Sequence, residues 1–328
     1  MRSTTALLDI LRHRRPHESE SEAQVIRRYV DTLPGVATDS YGNRLVAIGD
    51  TPRIAWMCHT DTVHTTPGRQ SVTVRDGMAR LSRRARRSSD CLGADDGAGL
   101  WLCREMILAG VPGQYIFHRA EECGGAGSSW ISREMPQVLT HLDAVISFDR
   151  RGTTDIVTHQ YGGRTASDEF AQSLADALGM DHTPAHGVFT DSANYADQVG
   201  ECSNVSVGYE SEHSPGEFLD IGYLSQLADR MIAIGDQIAE KLVYSRKPGE
   251  DDYYPYTSRR NGRSLYFDGY DWDDQRRHYS GGAKTEMERL VTDNPASAAT
   301  LMDDYGISEE ELREYIGLDT GRRRVTKW

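Results

Sequence analysis

Residues 92–99 read Leu92-Gly93-Ala94-Asp95-Asp96-Gly97-Ala98-Gly99, and the apolar positions that follow predict a helix extending to Leu108. Two aspartates at the start of a helix can act as a cap and as partners of the helix dipole. The small residues around them exceed what a cap requires, and they allow the backbone to approach a bound group closely. Asp95 is therefore a candidate to bridge two metal ions with its two carboxylate oxygens.

Four further motifs place histidine or carboxylate side chains beside predicted strands or turns. They are His59-Thr60-Asp61, Glu121-Glu122, Asp149 and His213. The first three follow short apolar runs that predict buried strands, namely Ile54–Cys58, Tyr115–His118 and Ala144–Phe148. Ligands in α/β proteins collect at the carboxyl ends of strands. Two imidazoles and three carboxylates suit a pair of divalent metals, and a remaining glutamate suits a general base.

Each motif also has a purely structural interpretation. His59 could be a hydrogen-bonded histidine at a strand end, and Asp149 could be a turn residue. The glutamate pair could be an exposed acidic turn, although in an extended segment one carboxylate would face a metal and the other a substrate. His213 lies in a polar turn with proline and glycine, a loop position typical of function. The order of all five motifs, each at a strand–loop junction, favours a common site.

Charged residues beside two of the motifs leave the recognised end of a substrate open. Arg150 and Arg151 follow Asp149 and could hold a carboxylate bidentately or merely neutralise acid. Glu210 and Glu212 precede His213 and would instead favour a free amine.

Alternating short strands and helices predict an α/β fold with a mostly parallel central sheet and helices on both faces. Residues 1–244 form the predicted catalytic domain, which closes with a helix over Ile221–Val243. Residues 245–282, rich in Tyr, Asp and Arg, are expected to be a linker or strap. Residues 283–328 are expected to be a small helical segment, with Ser308 and Glu311 as a capping box, that packs on the core or binds a protein partner.

Composition excludes several classes of protein. The chain has 328 residues, 38% of them hydrophobic, and a net charge of −13 that argues against a general nucleic-acid binder. No apolar run approaches the roughly 18 residues that span a membrane, and the N-terminus shows no secretion signal. The five cysteines lack metal or redox spacing. We expect a cytoplasmic protein with reduced, mostly buried thiols.

The motifs together resemble those of the MH clan of co-catalytic zinc exopeptidases. This clan includes bacterial aminopeptidases, tripeptidases similar to peptidase T, and carboxypeptidase and deacylase relatives. The matching stretches are Cys58-His59-Thr60-Asp61, Leu92 to Gly99, Ala120-Glu121-Glu122, Phe148-Asp149 and His213-Ser214-Pro215. The stretch between Asp149 and His213 is too short for the second domain of the peptidase T-like members, so the single-domain aminopeptidases are the nearer match.

The resemblance implies two divalent metal ions, expected to be zinc, and a set of five ligands. The implied ligands are His59 and Asp149 for one metal, Glu122 and His213 for the other, and Asp95 as the bridge, often with a cis peptide to Asp96. Asp61 would support His59, and Glu121 would be the general base that acts on a bridging water.

The expected activity is hydrolysis of peptide or amide bonds, with an aminopeptidase-like exopeptidase favoured. One alternative is a carboxypeptidase or N-acyl amino acid deacylase anchored by Arg150 and Arg151. An alternative of another class is a catalytically silent module that binds proteins through its C-terminal helices. The expected substrate is a peptide or an acylated amino acid, and no nucleic-acid or membrane partner is expected.

Overall fold

The structure of the chain is a computed structural model that describes residues 4–161 and 163–250. The strands are β1 His13–Arg14, β2 Ala37–Thr38, β3 Arg44–Ile48, β4 Ile54–His59, β5 Gly68–Arg69, β6 Val72–Arg75, β7 Met78–Leu81, β8 Gly113–His118, β9 Ala144–Arg150, β10 Asp155–Gln160, β11 Gly163–Arg164, β12 Thr183–His186, β13 Glu201–Ser206, β14 Tyr209–Glu210 and β15 Phe218–Asp220. The helices are α1 Thr5–Leu11, α2 Glu20–Val25, α3 Ala94–Leu108, α4 Ala126–Glu134, α5 Asp168–Leu178, α6 Ile221–Ile234 and α7 Ile238–Lys241.

Nine strands form the main sheet in the order β11-β10-β13-β9-β4-β8-β3-β2, with β12 also paired to β10. The central strands β13, β9, β4 and β8 are parallel to one another. Antiparallel pairing begins outside them, where β10 meets β13 and β3 meets β8. The predicted mostly parallel sheet is therefore correct for the centre and for the pair β10–β12, and the sheet as a whole is mixed. The short connections of the outer pairs β2–β3 and β10–β11 permit only antiparallel pairing.

The two faces of the main sheet carry separate apolar layers. All six residues of β4 are buried, as expected for a central strand covered on both sides. Trp56 contributes to the larger layer, in which its ring stacks on Phe148 at 5.7 Å. Its neighbours Ala55 and Met57 contribute to the other layer, together with Ile131 of α4. Alternating residues of one strand thus serve opposite faces, and the prediction of helices on both faces is confirmed.

The small residues at the start of α3 serve packing inside the protein. A Cβ atom added to Gly99 would lie 2.2 Å from the carbonyl oxygen of Phe148 in β9. One added to Gly97 would lie 3.1 Å from a methyl group of Leu11 in α1. The sequence interpretation, in which these residues make room for a bound group, is not needed at these two glycines. They let α3 approach the sheet and α1 closely.

The helix that closes the domain is shorter than the sequence predicted, and the chain forms a second sheet besides the main one. The expected helix over Ile221–Val243 ends at Ile234, because Gly235 has a φ of +34° and starts a separate short turn. A second sheet, ordered β14-β15-β7-β6, joins the hairpin of β6 and β7 to two short strands that the sequence did not indicate.

Four of the five cysteines are buried free thiols, and Cys123 is exposed, which confirms the expectation of reduced and mostly buried thiols. No helix among the described residues combines the length and apolar content needed to cross a membrane. The predicted linker beyond residue 250 and the predicted helical segment 283–328, with its capping box and partner-binding role, lie outside the described residues.

Candidate metal and catalytic site

The carboxyl ends of three adjacent parallel strands meet at one edge of the main sheet. His59 is the last residue of β4, and Asp149 lies one residue before the end of β9. Glu121 and Glu122 follow β8 after a short connection. Because β4 pairs in parallel with both β8 and β9, these side chains emerge at the same edge. The structure thus brings together residues that are up to 90 positions apart, as the strand-end argument predicts.

Asp95 lies between the two histidines of the motif set. Its Oδ1 is 3.0 Å from Nε2 of His59, and its Oδ2 is 3.2 Å from Nε2 of His213. Nε2 of His59 is also 3.6 Å from Oδ1 of Asp149. Nε2 of His213 is also 3.2 Å from Oε2 of Glu122. Each histidine therefore has one carboxylate of its own and shares Asp95 with the other histidine.

Asp149 and Asp96 accept further hydrogen bonds from residues that are not among the proposed ligands. Thr190 donates a hydrogen bond of 2.7 Å to Oδ2 of Asp149, and the Tyr209 hydroxyl donates one of 3.1 Å to Oδ1. Asp96 is fully buried and accepts the backbone N–H groups of His59, at 3.2 Å, and Gly99, at 2.7 Å. The peptide bond between Asp95 and Asp96 is cis, as the family resemblance implies.

Potential metal-ligand atoms gather in two overlapping groups, within each of which they lie within 4.8 Å of one another. The groups are His59, Asp95 and Glu122, and His59, Asp96 and Asp149. Oε1 of Glu122 is buried and has no hydrogen-bond partner among the described residues, although a buried carboxylate oxygen is normally satisfied. Imidazole nitrogens and carboxylate oxygens are the donors that zinc accepts. The donor set and the unpartnered oxygen therefore fit a divalent metal.

Asp61 connects the first histidine to the glutamate pair. It is fully buried, and its Oδ1 lies 3.5 Å from Nδ1 of His59. The same carboxylate accepts the backbone N–H groups of Glu121, at 3.2 Å, and Glu122, at 3.3 Å. The pair lies in a turn after Ala120, whose φ is +60°, and not in the extended stretch that the sequence suggested. Asp61 thus fixes the backbone of this turn and lies close to the ring of His59.

The crowding of acids in the site shifts their protonation equilibria. Burial and the charge of Asp95 raise the pKa of Asp149 to about 6 and that of Glu122 to about 7. Burial alone would raise the pKa of Asp95, but hydrogen bonds from His213 and His59 outweigh it and hold the pKa below its usual range. Hydrogen bonds with Asp95 and Glu122 raise the pKa of His213 to about 11. Several buried carboxylates this close together require positive charge nearby, which protons or metal cations can provide.

Glu121 has the environment of a buried carboxyl beside like charges. Burial raises its pKa well above the usual range, and the carboxylates of Asp149, Asp191 and Glu122 raise it further against the opposing effect of His59. Its side chain therefore interacts with members of both histidine–carboxylate pairs.

The charged residues expected to recognise a substrate terminus are already paired. The guanidinium group of Arg150 lies 2.9 Å from Asp155, and that of Arg151 lies 3.3 Å from Oε1 of Glu212. The second oxygen of Glu212, Oε2, is buried and has no hydrogen-bond partner among the described residues.

Two buried residues that organise the site have no counterpart in the sequence interpretation. Glu217 accepts four consecutive backbone N–H groups, those of residues 92–95, at 2.7–3.1 Å. Arg15 donates to the carbonyl oxygens of Thr60, at 2.9 Å, and Gly93, at 3.1 Å, and so ties two of the motif-bearing loops together. Glu217 belongs to the polar turn of His213, which was a usable signal. Arg15 lies in an arginine-rich stretch in which nothing distinguishes it.

Comparison with known proteins finds similarity in structure only. No protein-family model matches the chain, and no curated protein matches its sequence. The aminopeptidase PepT from Bacillus cereus is similar with a TM-score of 0.56 and 14% identity, over 71% of this chain and 97% of that chain. A tripeptidase from Staphylococcus aureus gives a TM-score of 0.55 and 16% identity, over 72% of this chain and 97% of that chain.

A third similar structure is PhTET1-12s, a dodecamer, with a TM-score of 0.54 and 16% identity, over 71% of this chain and 99% of that chain. Identities of this size establish the fold alone. The resemblance to the MH clan that the motifs indicated is therefore confirmed for the fold, which this chain shares with solved aminopeptidase and tripeptidase structures.

Proposed function

We propose that the chain is a metal-dependent hydrolase of peptide bonds that acts as an aminopeptidase. The observation that carries the proposal is the position of Asp95, whose two oxygens each face a different histidine, at 3.0 and 3.2 Å. A carboxylate shared in this way suits a pair of divalent cations. The similar fold of solved aminopeptidases adds support.

The ligand roles follow from the pairs of neighbours around each histidine. His59 and Asp149 would hold one metal, and His213 and Glu122 the other, with Asp95 shared between them. Two divalent cations supply Lewis acidity to the scissile carbonyl and increase the acidity of water. Zinc is the ion we expect from the mixture of nitrogen and oxygen donors.

The remaining steps belong to side chains of the protein. Glu121 would accept a proton from the attacking water and return it to the leaving nitrogen. Asp61 keeps Glu121 in place through the backbone of the turn, at 3.2 Å. A carboxylate fixed through its own backbone needs little reorganisation before it transfers a proton.

Recognition of a free amine fits the charges better than recognition of a carboxylate. Arg150 and Arg151 are both paired with acids, so the charge of each guanidinium group is already partly balanced. The unpartnered Oε2 of Glu212, beside His213, can accept a hydrogen bond from an ammonium group. We therefore favour an aminopeptidase over a carboxypeptidase or an N-acyl amino acid deacylase.

The test compares leucine p-nitroanilide, which carries a free amine, with N-acetylleucine, which carries a free carboxylate, in the presence of zinc, cobalt or manganese. We expect turnover of the free amine only, and we expect a chelator to abolish it. Turnover of the acetylated compound alone would favour the deacylase alternative. Absence of turnover on any aminoacyl or dipeptide substrate, in a protein that holds no metal, would contradict the proposed function.

The variant Glu121→Gln tests whether Glu121 transfers the proton without binding a metal. We expect it to retain two metals per chain and to lose about 10²–10⁴-fold in kcat, because it cannot accept a proton. Cys123→Ser is the matched control, since Cys123 is exposed and lies in the same turn. Metal content by elemental analysis and steady-state kinetics provide the two measurements. An active Glu121→Gln variant would show that another group is the base.

A further inference from the structure

A small apolar surface is exposed beside the turn that carries Glu121. Tyr161 and Val188 are 70% and 51% exposed, and the backbone N–H of Tyr161 donates to the carbonyl of Val188 at 2.8 Å. The ring of Phe189 lies 4.6 Å from the ring of Tyr161, with a tilt of 31°. We define Tyr161, Val188 and Phe189 as the apolar platform. Water-exposed aromatic and aliphatic groups that adjoin one another are typical of a binding surface.

Two contacts and one electrostatic interaction connect the apolar platform to the candidate site. A Cβ atom added to Gly125, in the turn that follows the glutamate pair, would lie 2.5 Å from Cζ of Phe189, so this ring packs directly on the turn. Thr190, the next residue after Phe189, donates to Asp149 at 2.7 Å. Partial burial raises the pKa of Tyr161, and the nearby charge of Glu121 contributes to the same direction.

We propose that the apolar platform receives an apolar side chain of the substrate next to the scissile peptide bond, so that the enzyme prefers leucine-like or phenylalanine-like residues there. This inference rests on the proposed function. A side chain laid on the platform would cover surface that is otherwise exposed to water, and the aromatic pair offers a flat, rigid face for it. No charged side chain belongs to the platform, which disfavours a lysine or glutamate side chain at this position.

The side chain on the platform belongs either to the residue before the scissile bond or to the residue after it. Two series of dipeptides distinguish these positions. The first series is Leu-Ala against Ala-Ala, and the second is Ala-Leu against Ala-Ala. We expect the full-length wild-type enzyme to prefer leucine in one series by about 10-fold or more in kcat/KM, the range for added methylene groups in an apolar pocket.

The decisive variant is Tyr161→Ser, which removes the most exposed ring. We expect the preference for leucine, measured as the ratio of kcat/KM for the leucine dipeptide to kcat/KM for Ala-Ala, to fall by about 10-fold in the affected series. Tyr161→Phe should keep the preference because it keeps the ring. Leu108→Ser is the matched control, since Leu108 is 54% exposed at the far end of α3 from Asp95 and should change neither series.

An unchanged leucine preference in Tyr161→Ser, with Ala-Ala still hydrolysed, would overturn the inference alone. Absence of metal-dependent hydrolysis of all three dipeptides by the wild type would instead overturn the proposed function. The mass of each variant in solution, measured by light scattering, gives a further readout. A change in mass without a change in preference would assign the platform to contact between copies of the chain and would also overturn the inference.

Discussion

The two proposed metal positions are built by different means. His59 and Asp149 extend from strands of the main sheet, and their side chains are only 1% and 7% exposed. Glu122 and His213 lie in turns, and the side chain of His213 is 51% exposed with a φ of +58°. The first position is therefore set once the sheet has formed. The second depends on contacts between loops.

Glu217 is the main contact that places the turn of His213. Its carboxylate is fully buried and binds the backbone of the stretch that contains Asp95. The shared ligand and the exposed histidine are thereby fixed to one another, although they are distant in sequence. A proposed metal position built from loops can thus be held in place by one buried carboxylate that is not itself a proposed ligand.

The largest expected effect contrasts His59→Ala with His213→Ala in the metal-free protein. His59→Ala removes the imidazole shared by the buried carboxylates of Asp95 and Asp149, and we expect a loss of about 3–5 kcal/mol in the free energy of unfolding. His213→Ala also removes ion pairs with buried carboxylates, but its ring is half-exposed and water can replace it, so we expect a smaller loss of about 1–3 kcal/mol. Urea unfolding at pH 7, followed by circular dichroism, measures both. Equal losses would break the contrast between the two positions.

The second prediction concerns Glu217→Gln. The amide would place an N–H donor against two of the four backbone N–H groups, so the segment from Leu92 to Asp95 should shift. We expect affinity for the second metal to fall by about 10–100-fold, as for other groups that orient metal ligands, and affinity for the first to change less. Competition with a chromogenic chelator measures both affinities.

Glu201→Gln is the matched control for Glu217→Gln. Glu201 is equally buried and also accepts backbone N–H groups, those of Ser167, Ser245 and Arg246, at 2.7–2.8 Å. It begins β13, at the edge of the sheet opposite to His59 and Asp149. The control should lower stability and leave both metal affinities unchanged. Equal loss of metal affinity in the two variants would mean that Glu217 acts through general stability alone.

The same contrast explains how far the sequence could predict the fold and the candidate site. Strands β4, β8 and β9 were predictable, because each is a short apolar run and a neighbouring residue carries the motif. The polar turn around His213 was recognisable from its composition. These signals are local in the sequence. The parallel pairing of the three strands then places the motif residues at the same edge of the sheet.

Features that depend on long-range contacts were not predictable. The partners of Glu217 lie 122–125 residues before it, and no local pattern marks such a pairing. Gly97 and Gly99 suggested a bound group, and the structure assigns them to contacts with α1 and β9. The two-residue strand β14 and the three-residue strand β15 carry too few residues to show a period of two.

The smallest expected effect comes from a second buried histidine, His64, which contrasts with His59. Burial and the positive charge of Arg15 lower the pKa of His64 to about 4, and the opposing charge of Asp90 has a weaker effect. Its Nδ1 accepts from Thr62 at 2.7 Å, and its Nε2 donates to the carbonyl of Cys91 at 3.0 Å, which is the bonding of a neutral ring. His64 therefore supports the neighbouring loop only while it is uncharged.

The sign of the pH dependence follows from this lowered pKa. Between pH 6.5 and pH 4 the unfolded chain protonates His64 and the folded chain does not, so this contribution to stability is present above pH 6.5 and is lost as the pH falls toward 4. From pH 7 to pH 5 the loss should be about 2 kcal/mol. His64→Gln keeps a side chain that can hydrogen-bond but does not titrate, so its unfolding free energy should fall by that much less than the wild type's over the same interval. Parallel urea titrations of both proteins at the two pH values measure the difference. Identical pH dependence would show that His64 takes up its proton over the same pH range in the folded protein as in the unfolded chain, and the lowered pKa would then be wrong.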